Sequence, residues 1–193
     1  MVLAARDSNW CWPFALVSSA LWAYQVWVAY GLLFDAALNG FYAVMALVGL
    51  WRWGSASRGG HGTAREDAAG RPAGELPITT MSGREHFAWI ACGAAVTGAL
   101  VVAARAYTEA AMPLADATTT VYSVIGTVLL IERRLENWLY LLAMDAVYVW
   151  LYLERGSPLF AGLFALYCVL AAYGYWSWRR MAGARSGAAA TAG

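Results

Sequence analysis

Asp145 is the one ionisable side chain set deep within a long apolar stretch, about eight residues past Asn137. An uncompensated carboxylate in such surroundings is costly, and polar side chains there usually line a ligand or ion pathway. The middles of the apolar stretches also hold Trp22, Gln25, Asn39, Tyr42, Thr120, Ser123, Thr127, Tyr148 and Tyr167. Aromatic faces stack on flat rings and attract organic cations, while amides and hydroxyls satisfy neutral polar groups. The chemistry these types suit is recognition rather than bond making. Each also has a structural reading. Thr120, Ser123 and Thr127, spaced three and four apart, share a helix face and equally suit small packing residues bonded to their own backbone. Tyr42 and Tyr167 serve as packing wedges, and Asp145 as a buried acceptor for a neighbouring hydroxyl. Glu136 and Asn137 sit where capping and the helix dipole account for them. Pro13 and Pro158 suit first-turn positions.

Nothing else in the chain assembles into a reactive centre. The two histidines, His61 and His86, lie in or beside a loop with no nucleophile paired to them. The chain has no lysine, so a Walker A phosphate loop is impossible. Cys11, Cys92 and Cys168 are scattered without CxxC spacing, which points to neither disulfides nor a metal site. The expectation is a non-enzyme with no cofactor and no metal.

Composition supplies the frame that must position these residues. The chain is 61% hydrophobic and 13% charged, well outside the range of soluble domains. Six segments read as membrane-spanning helices: 10–30, 34–53, 86–106, 116–131, 137–153 and 158–178. Their continuous apolar runs lack the alternation of barrel strands. The Gly/Arg-rich stretch 54–85 reads as a mobile cytoplasmic loop, and 181–193 as a disordered cytoplasmic tail. With that loop inside, eleven of the thirteen arginines fall on the cytoplasmic side and only Arg105 and Arg155 outside. That asymmetry sets the orientation and leaves the C-terminus cytoplasmic. Trp10, Trp12, Trp51, Trp53, Trp89, Trp138, Trp176 and Trp178 all fall at cytoplasmic ends and read as an interfacial belt.

The chain repeats itself. Gly49-Leu-Trp51-Arg-Trp53 returns 125 positions later as Gly174-Tyr-Trp176-Ser-Trp178, within nine identities over the 23 positions from Gly31 to Trp53. Asn9-Trp10 against Asn137-Trp138 extends the match at offset 128, which requires a three-residue gap. Internal duplication is a recurring plan of membrane transporters. The second copy, 107–180, holds three helices. The first, 1–53, holds only the partners of the last two, and 86–106 is a linker helix. The expected whole is an all-α membrane protein of two parallel three-helix repeats joined by a linker, 3+1+3, here with six spans because the first helix is absent.

Asp116-Ala-Thr-Thr-Thr-Val-Tyr-Ser123, Glu136-Asn-Trp138, Asp145 and Gly174-Tyr-Trp-Ser-Trp178 resemble the second half of the PnuC family of bacterial nicotinamide riboside transporters. Asn9-Trp-Cys-Trp-Pro13, Phe34-Asp-Ala-Ala-Leu-Asn-Gly-Phe-Tyr42 and Gly49-Leu-Trp-Arg-Trp53 resemble the first half. The resemblance implies a SWEET-like fold in the bacterial inner (plasma) membrane and facilitated diffusion of nicotinamide riboside for NAD synthesis. Relatives carry thiamine, riboflavin or deoxynucleosides. It also implies a functional link to a cytoplasmic riboside kinase, and it brings Trp138 among the substrate-binding candidates. Leu141 stands where the family carries a second Trp. No proton relay accompanies Asp145 and no unwound Gly/Pro pair suggests a sodium site, so the expected mechanism is uniport by alternating access between two helix bundles. A non-transporting membrane scaffold is the alternative of another class. The lipid bilayer is the expected environment, nucleic acid is not an expected partner, and a homo-oligomer is an arrangement the sequence permits.

Overall fold

The computed structural model of the protein describes residues 1–30, 33–59, 77–107 and 113–191. Arg65, Arg71 and His61 lie outside them, as does most of the expected loop. Among the described residues the chain is helical: α1 (Val2–Ala5), α2 (Cys11–Tyr30), α3 (Leu33–Gly59), α4 (Gly83–Tyr107), α5 (Pro113–Ile131), α6 (Asn137–Glu154) and α7 (Pro158–Thr191). The six long helices are the six expected spans. By length and hydropathy alone, Gly83–Tyr107, Pro113–Ile131 and Pro158–Gly183 suffice to cross a membrane. Helices α2, α3 and α6 have the length, and α2 and α6 are rich in Trp and Tyr, residues that membrane interfaces favour. This is a polytopic membrane fold.

Two compact units divide the chain, one of residues 1–77 with 180–193 and one of 78–179. In the first, α2 packs on α3. Trp12 lies against Gly49, where an added Cβ would meet the indole at 2.5 Å, and meets Trp53 edge-on at 5.2 Å and 86°. In the second, Trp138 of α6 lies against Gly174 of α7 at the same 2.5 Å and meets Trp178 edge-on at 5.5 Å and 87°. Only glycine allows either indole to lie flat on the facing helix.

These paired locks correct the register of the repeat. Trp138 corresponds to Trp12, at offset 126, and not to Trp10. The turn before each lock agrees bond for bond. Asp7 and Arg133 both adopt the left-handed conformation, at φ 56° and 57°. The amides of Asp7, Ser8 and Cys11 bond to Ala4, Leu3 and Ser8, and those of Arg133, Arg134 and Asn137 to Leu130, Leu129 and Arg134. Each turn is a Schellman closure with a non-glycine residue at its left-handed position. Helix α1 is therefore the counterpart of the last turn of α5. One residue, not three, separates the registers of the two helices in a repeat.

The expected tryptophan belt is also corrected. Trp10, Trp51 and Trp176 are exposed, but Trp12, Trp53, Trp138 and Trp178 are buried. In each Trp-x-Trp pair one indole faces outward and the other forms the lock, because residues two apart point to different sides of a helix.

The reading of 54–85 as a mobile loop is corrected at both ends. Helix α3 continues to Gly59. The segment before α4 is pinned to the α5–α6 turn, where Thr79 donates to the Arg133 carbonyl and accepts from Leu135. Beside it, the Met81 amide donates to Glu136 Oε1 at 2.9 Å. Ser82 and Glu85 form a reciprocal cap at the start of α4, and Glu85 also pairs with Arg134 at 3.1 Å. Glu136→Ala should therefore free the Met81 amide at a cost of about 2 kcal/mol, with faster hydrogen exchange confined to Thr79–Met81. Unchanged exchange there would rule out the clasp. The tail likewise departs from expectation, since α7 runs to Thr191. The alanines there at 182, 184 and 188–190 carry the highest helix propensity.

Candidate functional site

The sequence-derived candidates fall into two groups. Trp22, Gln25, Asn39 and Tyr42 belong to the first unit. Thr120, Ser123, Thr127, Trp138, Asp145, Tyr148 and Tyr167 belong to the second.

In the first unit, Ser18, Ser19 and Trp22 of α2 and Asn39 of α3 line an open groove of about 250 Å³. Trp22 presents an exposed indole face. The Ser18 hydroxyl donates to the Ala15 carbonyl at 3.0 Å. A flat π-surface, two hydroxyls and a carboxamide can hold a planar, neutral or cationic ligand. None of the four lining residues is charged. The groove brings Trp22 and Asn39 together. Gln25, exposed, and Tyr42, half-buried, are not among its lining residues.

In the second unit, Asp145 is buried and its Oδ2 has no hydrogen-bond partner among the described residues. Tyr148 follows one turn later and stacks on Phe164 of α7 at 4.5 Å and 26°. The stack continues through Tyr152, 5.3 Å from both Phe160 and Phe164, and Tyr167 meets Phe164 edge-on at 5.6 Å. Thr119, fully buried, donates to the Ala115 and Asp116 carbonyls of its own helix, at 2.9 and 3.1 Å. At the start of α5, Asp116 receives both of its bonds from Nη2 of Arg155, at 2.8 and 3.1 Å.

Thr127 bonds back to the Ser123 carbonyl at 2.9 Å, which is the packing role weighed for it. Thr120 and Ser123 stay half-buried beside it. Trp138 is buried in its lock with Gly174 and Trp178, with no exposed face. Asn137 donates to the Arg134 carbonyl, and Glu136, at the N-cap of α6, makes no side-chain capping bond but accepts from the Met81 amide, a structural role other than the capping expected.

Sequence reasoning passed over Ser18, Ser19, Thr119, Tyr152, Phe160 and Phe164. Serines and phenylalanines in an apolar helix carry no individual signal. The register at offset 126 would have pointed to Ser19, because it aligns that serine with Asp145.

A family model described as nicotinamide mononucleotide transporter matches residues 1–180. The chain belongs to the nicotinamide mononucleotide transporter family. Among solved structures, the crystal structure of the vitamin B3 transporter PnuC is similar to this chain, with a TM-score of 0.67 and 22% identity. The match covers 94% of this chain and 76% of that one, and at this identity it speaks to the fold. No curated protein sequence matches this chain. Membership of this transporter family agrees with the expected polytopic membrane fold, and the resemblance read from the sequence motifs reached the same family.

Proposed function

We propose that this family member carries nicotinamide riboside by facilitated diffusion, with the ring of the substrate held in the groove of Trp22, Asn39, Ser18 and Ser19. The observation that supports this most is the character of that lining. A nicotinamide riboside offers a flat cationic ring, a carboxamide and ribose hydroxyls. The groove offers an indole face, a carboxamide and two hydroxyls. The riboside is favoured over the phosphorylated mononucleotide of the family's description. A phosphate calls for arginine, lysine or helix-terminal amides, and the lining has no cationic side chain.

Uniport follows from the absence of a second deep ionisable group among the described candidates. Alternating exposure of the site to the two sides would then let the substrate run down its gradient, with a cytoplasmic kinase trapping it by phosphorylation. The arginine asymmetry supports a bacterial inner-membrane location with the C-terminus inside. Thiamine, which also pairs a cationic ring with a hydroxyl, is the nearest competing substrate.

Cells expressing the chain should take up labelled nicotinamide riboside in preference to the mononucleotide. Uptake should survive an uncoupler and cease to accumulate when the riboside kinase is removed. Trp22→Ala should lower uptake at limiting substrate roughly tenfold, the value of one lost aromatic contact. Concentration of the riboside into kinase-free liposomes by a proton or sodium gradient would rule out uniport. Faster uptake of the mononucleotide would rule out the riboside.

A further inference from the structure

The two repeats differ at the ends where their tryptophan locks lie. At the α5–α6 turn the charges are satisfied within the second unit. Glu132 approaches Arg134 at 3.8 Å, Glu85 pairs with the same guanidinium at 3.1 Å, and Glu136 accepts from the Met81 amide. At offset 126 the counterparts of Glu132, Arg134 and Glu136 are Arg6, Ser8 and Trp10. A cation and an indole thus replace two carboxylates. Arg6 is exposed, and Trp10 is 68% exposed. On the second helix of the pair, at offset 125, Trp51 matches Trp176 and Arg52 matches Ser177. Trp51 is 70% exposed, and Arg52 is exposed next to it.

The lock fixes the depth of these four side chains. The 20 residues of α2 rise about 30 Å, the thickness of a hydrocarbon core. Its first turn, with Trp12, therefore lies at one boundary, and Trp10 and Arg6 lie just beyond it. Trp12 rests on Gly49 and meets Trp53, which brings Trp51 and Arg52 of α3 to the same level. This is the headgroup layer, where an indole keeps its ring against the acyl boundary and its N–H toward oxygen acceptors. The backbone under both cations is held. The Arg6 amide donates to the Val2 carbonyl at 3.1 Å, and the Ser55 hydroxyl donates to the carbonyls of Trp51 and Arg52. Asp7, beside Arg6, is half-buried with its Oδ1 withdrawn from the surface. A guanidinium in this layer matches a phosphate with two parallel N–H donors.

We propose that this end of the α2–α3 hairpin binds the headgroups of anionic phospholipids. Arg6 and Arg52 hold the lipid phosphates, and Trp10 and Trp51 seat the interface around them. Charge decides the class of lipid. A zwitterionic headgroup brings its own ammonium and offers no net charge to two arginines, whereas a phosphatidylglycerol offers one negative charge. The lipid serves the first unit as the segment 79–82 serves the second, by satisfying the polar end of a helix pair. The inference rests on the membrane fold and not on the identity of the transported substrate.

The test uses purified full-length protein in detergent, titrated with phosphatidylglycerol or with phosphatidylcholine of the same acyl chains. Native mass spectrometry reads the lipid retained, and thermal unfolding reads its effect. Wild type should retain phosphatidylglycerol roughly tenfold better than phosphatidylcholine and melt at a higher temperature with it. The double variant Arg6→Gln with Arg52→Gln should lose that preference and the added melting temperature, yet melt as wild type does in phosphatidylcholine. Arg6→Lys with Arg52→Lys, which keeps both charges, should retain the preference. So should Arg84→Gln with Arg179→Gln, which removes two exposed arginines of the second unit. Equal retention of the two lipids by wild type would overturn the inference, as would an undiminished preference in the double Gln variant. An equal loss in the Arg84 and Arg179 variant would also overturn it, because net charge and not this rim would then attract the lipid. Should the double Gln variant not fold, Arg6→Gln and Arg52→Gln singly read the same rim. Each should lose part of the preference, and full preference in both would overturn the inference.

Discussion

Trp178→Ala and Trp53→Ala should each cost about 3–5 kcal/mol of stability, the range for removing a fully buried large aromatic. Both indoles are buried in equivalent edge-on locks, at 0% and 2% exposure. Their sequence neighbours Trp176 and Trp51 are exposed at 51% and 70%, so alanine there should leave stability within a fraction of that loss. The glycines behind the locks should behave alike. Gly49→Ala and Gly174→Ala each push a Cβ to 2.5 Å from the indole of Trp12 or Trp138. A buried ring cannot yield as a flexible chain end would, so overpacking should cost about 1–3 kcal/mol at either position. Thermal unfolding in detergent, read by light scattering or by size-exclusion fluorescence, measures all six variants. Equal damage from Trp176→Ala and Trp178→Ala would refute the division into outward and locking indoles. A tolerated Gly174→Ala beside an intolerant Gly49→Ala would refute the equivalence of the two locks.

On the reading of Asp145 as counter-ion to the substrate, Asp145→Asn should lower affinity for a cationic substrate on the order of 100-fold, as loss of one partner from a desolvated charge pair does. The substitution preserves shape and hydrogen-bonding capacity and removes only the charge. A neutral ligand such as free nicotinamide should bind both forms equally, because its ring gains nothing from the carboxylate. Competition between labelled nicotinamide riboside and unlabelled nicotinamide in uptake assays separates these effects. The bland role of Asp145, a buried acceptor within α6 and α7, leads to a different pattern. Under it Asp145→Asn would lose stability and leave the selectivity between cation and neutral ring untouched. That result would remove Asp145 from the ligand's path.

The helical content, the membrane class and the duplication were legible in the residues themselves. Long apolar runs cannot satisfy their backbone in lipid except as helices. The Gly-x-Trp-x-Trp signature survives in both copies because each glycine must accept an indole at contact distance. All six segment starts and four of the six ends came within three residues, since Pro13, Pro158 and the Asn137 turn punctuate the chain where helices start, whereas α3 and α7 run on past their apolar stretches to Gly59 and Thr191. Trp22, Asn39, Asp145 and Tyr148 stood out because a polar or large aromatic side chain is conspicuous in an apolar helix.

Tertiary structure decided what apolar composition hides. Trp10 and Trp12 look equivalent on the page, and only packing against Gly49 shows that Trp12 forms the lock and sets the offset at 126. Trp51 and Trp53 differ only in the helix face they occupy, which no composition reveals. The turn that pins Thr79 and Met81 to Arg133–Glu136 joins segments more than fifty residues apart through backbone groups, which every residue type shares. Phe164 reads as an ordinary apolar residue until its ring is seen on Tyr148. Ser18 and Ser19 read as small packing residues until the space beside Trp22 is seen to be empty. A sequence records which side chains are present, whereas a binding groove is defined by volume that neighbouring side chains leave unfilled. That quantity depends on distances between helices and exists only once they have packed.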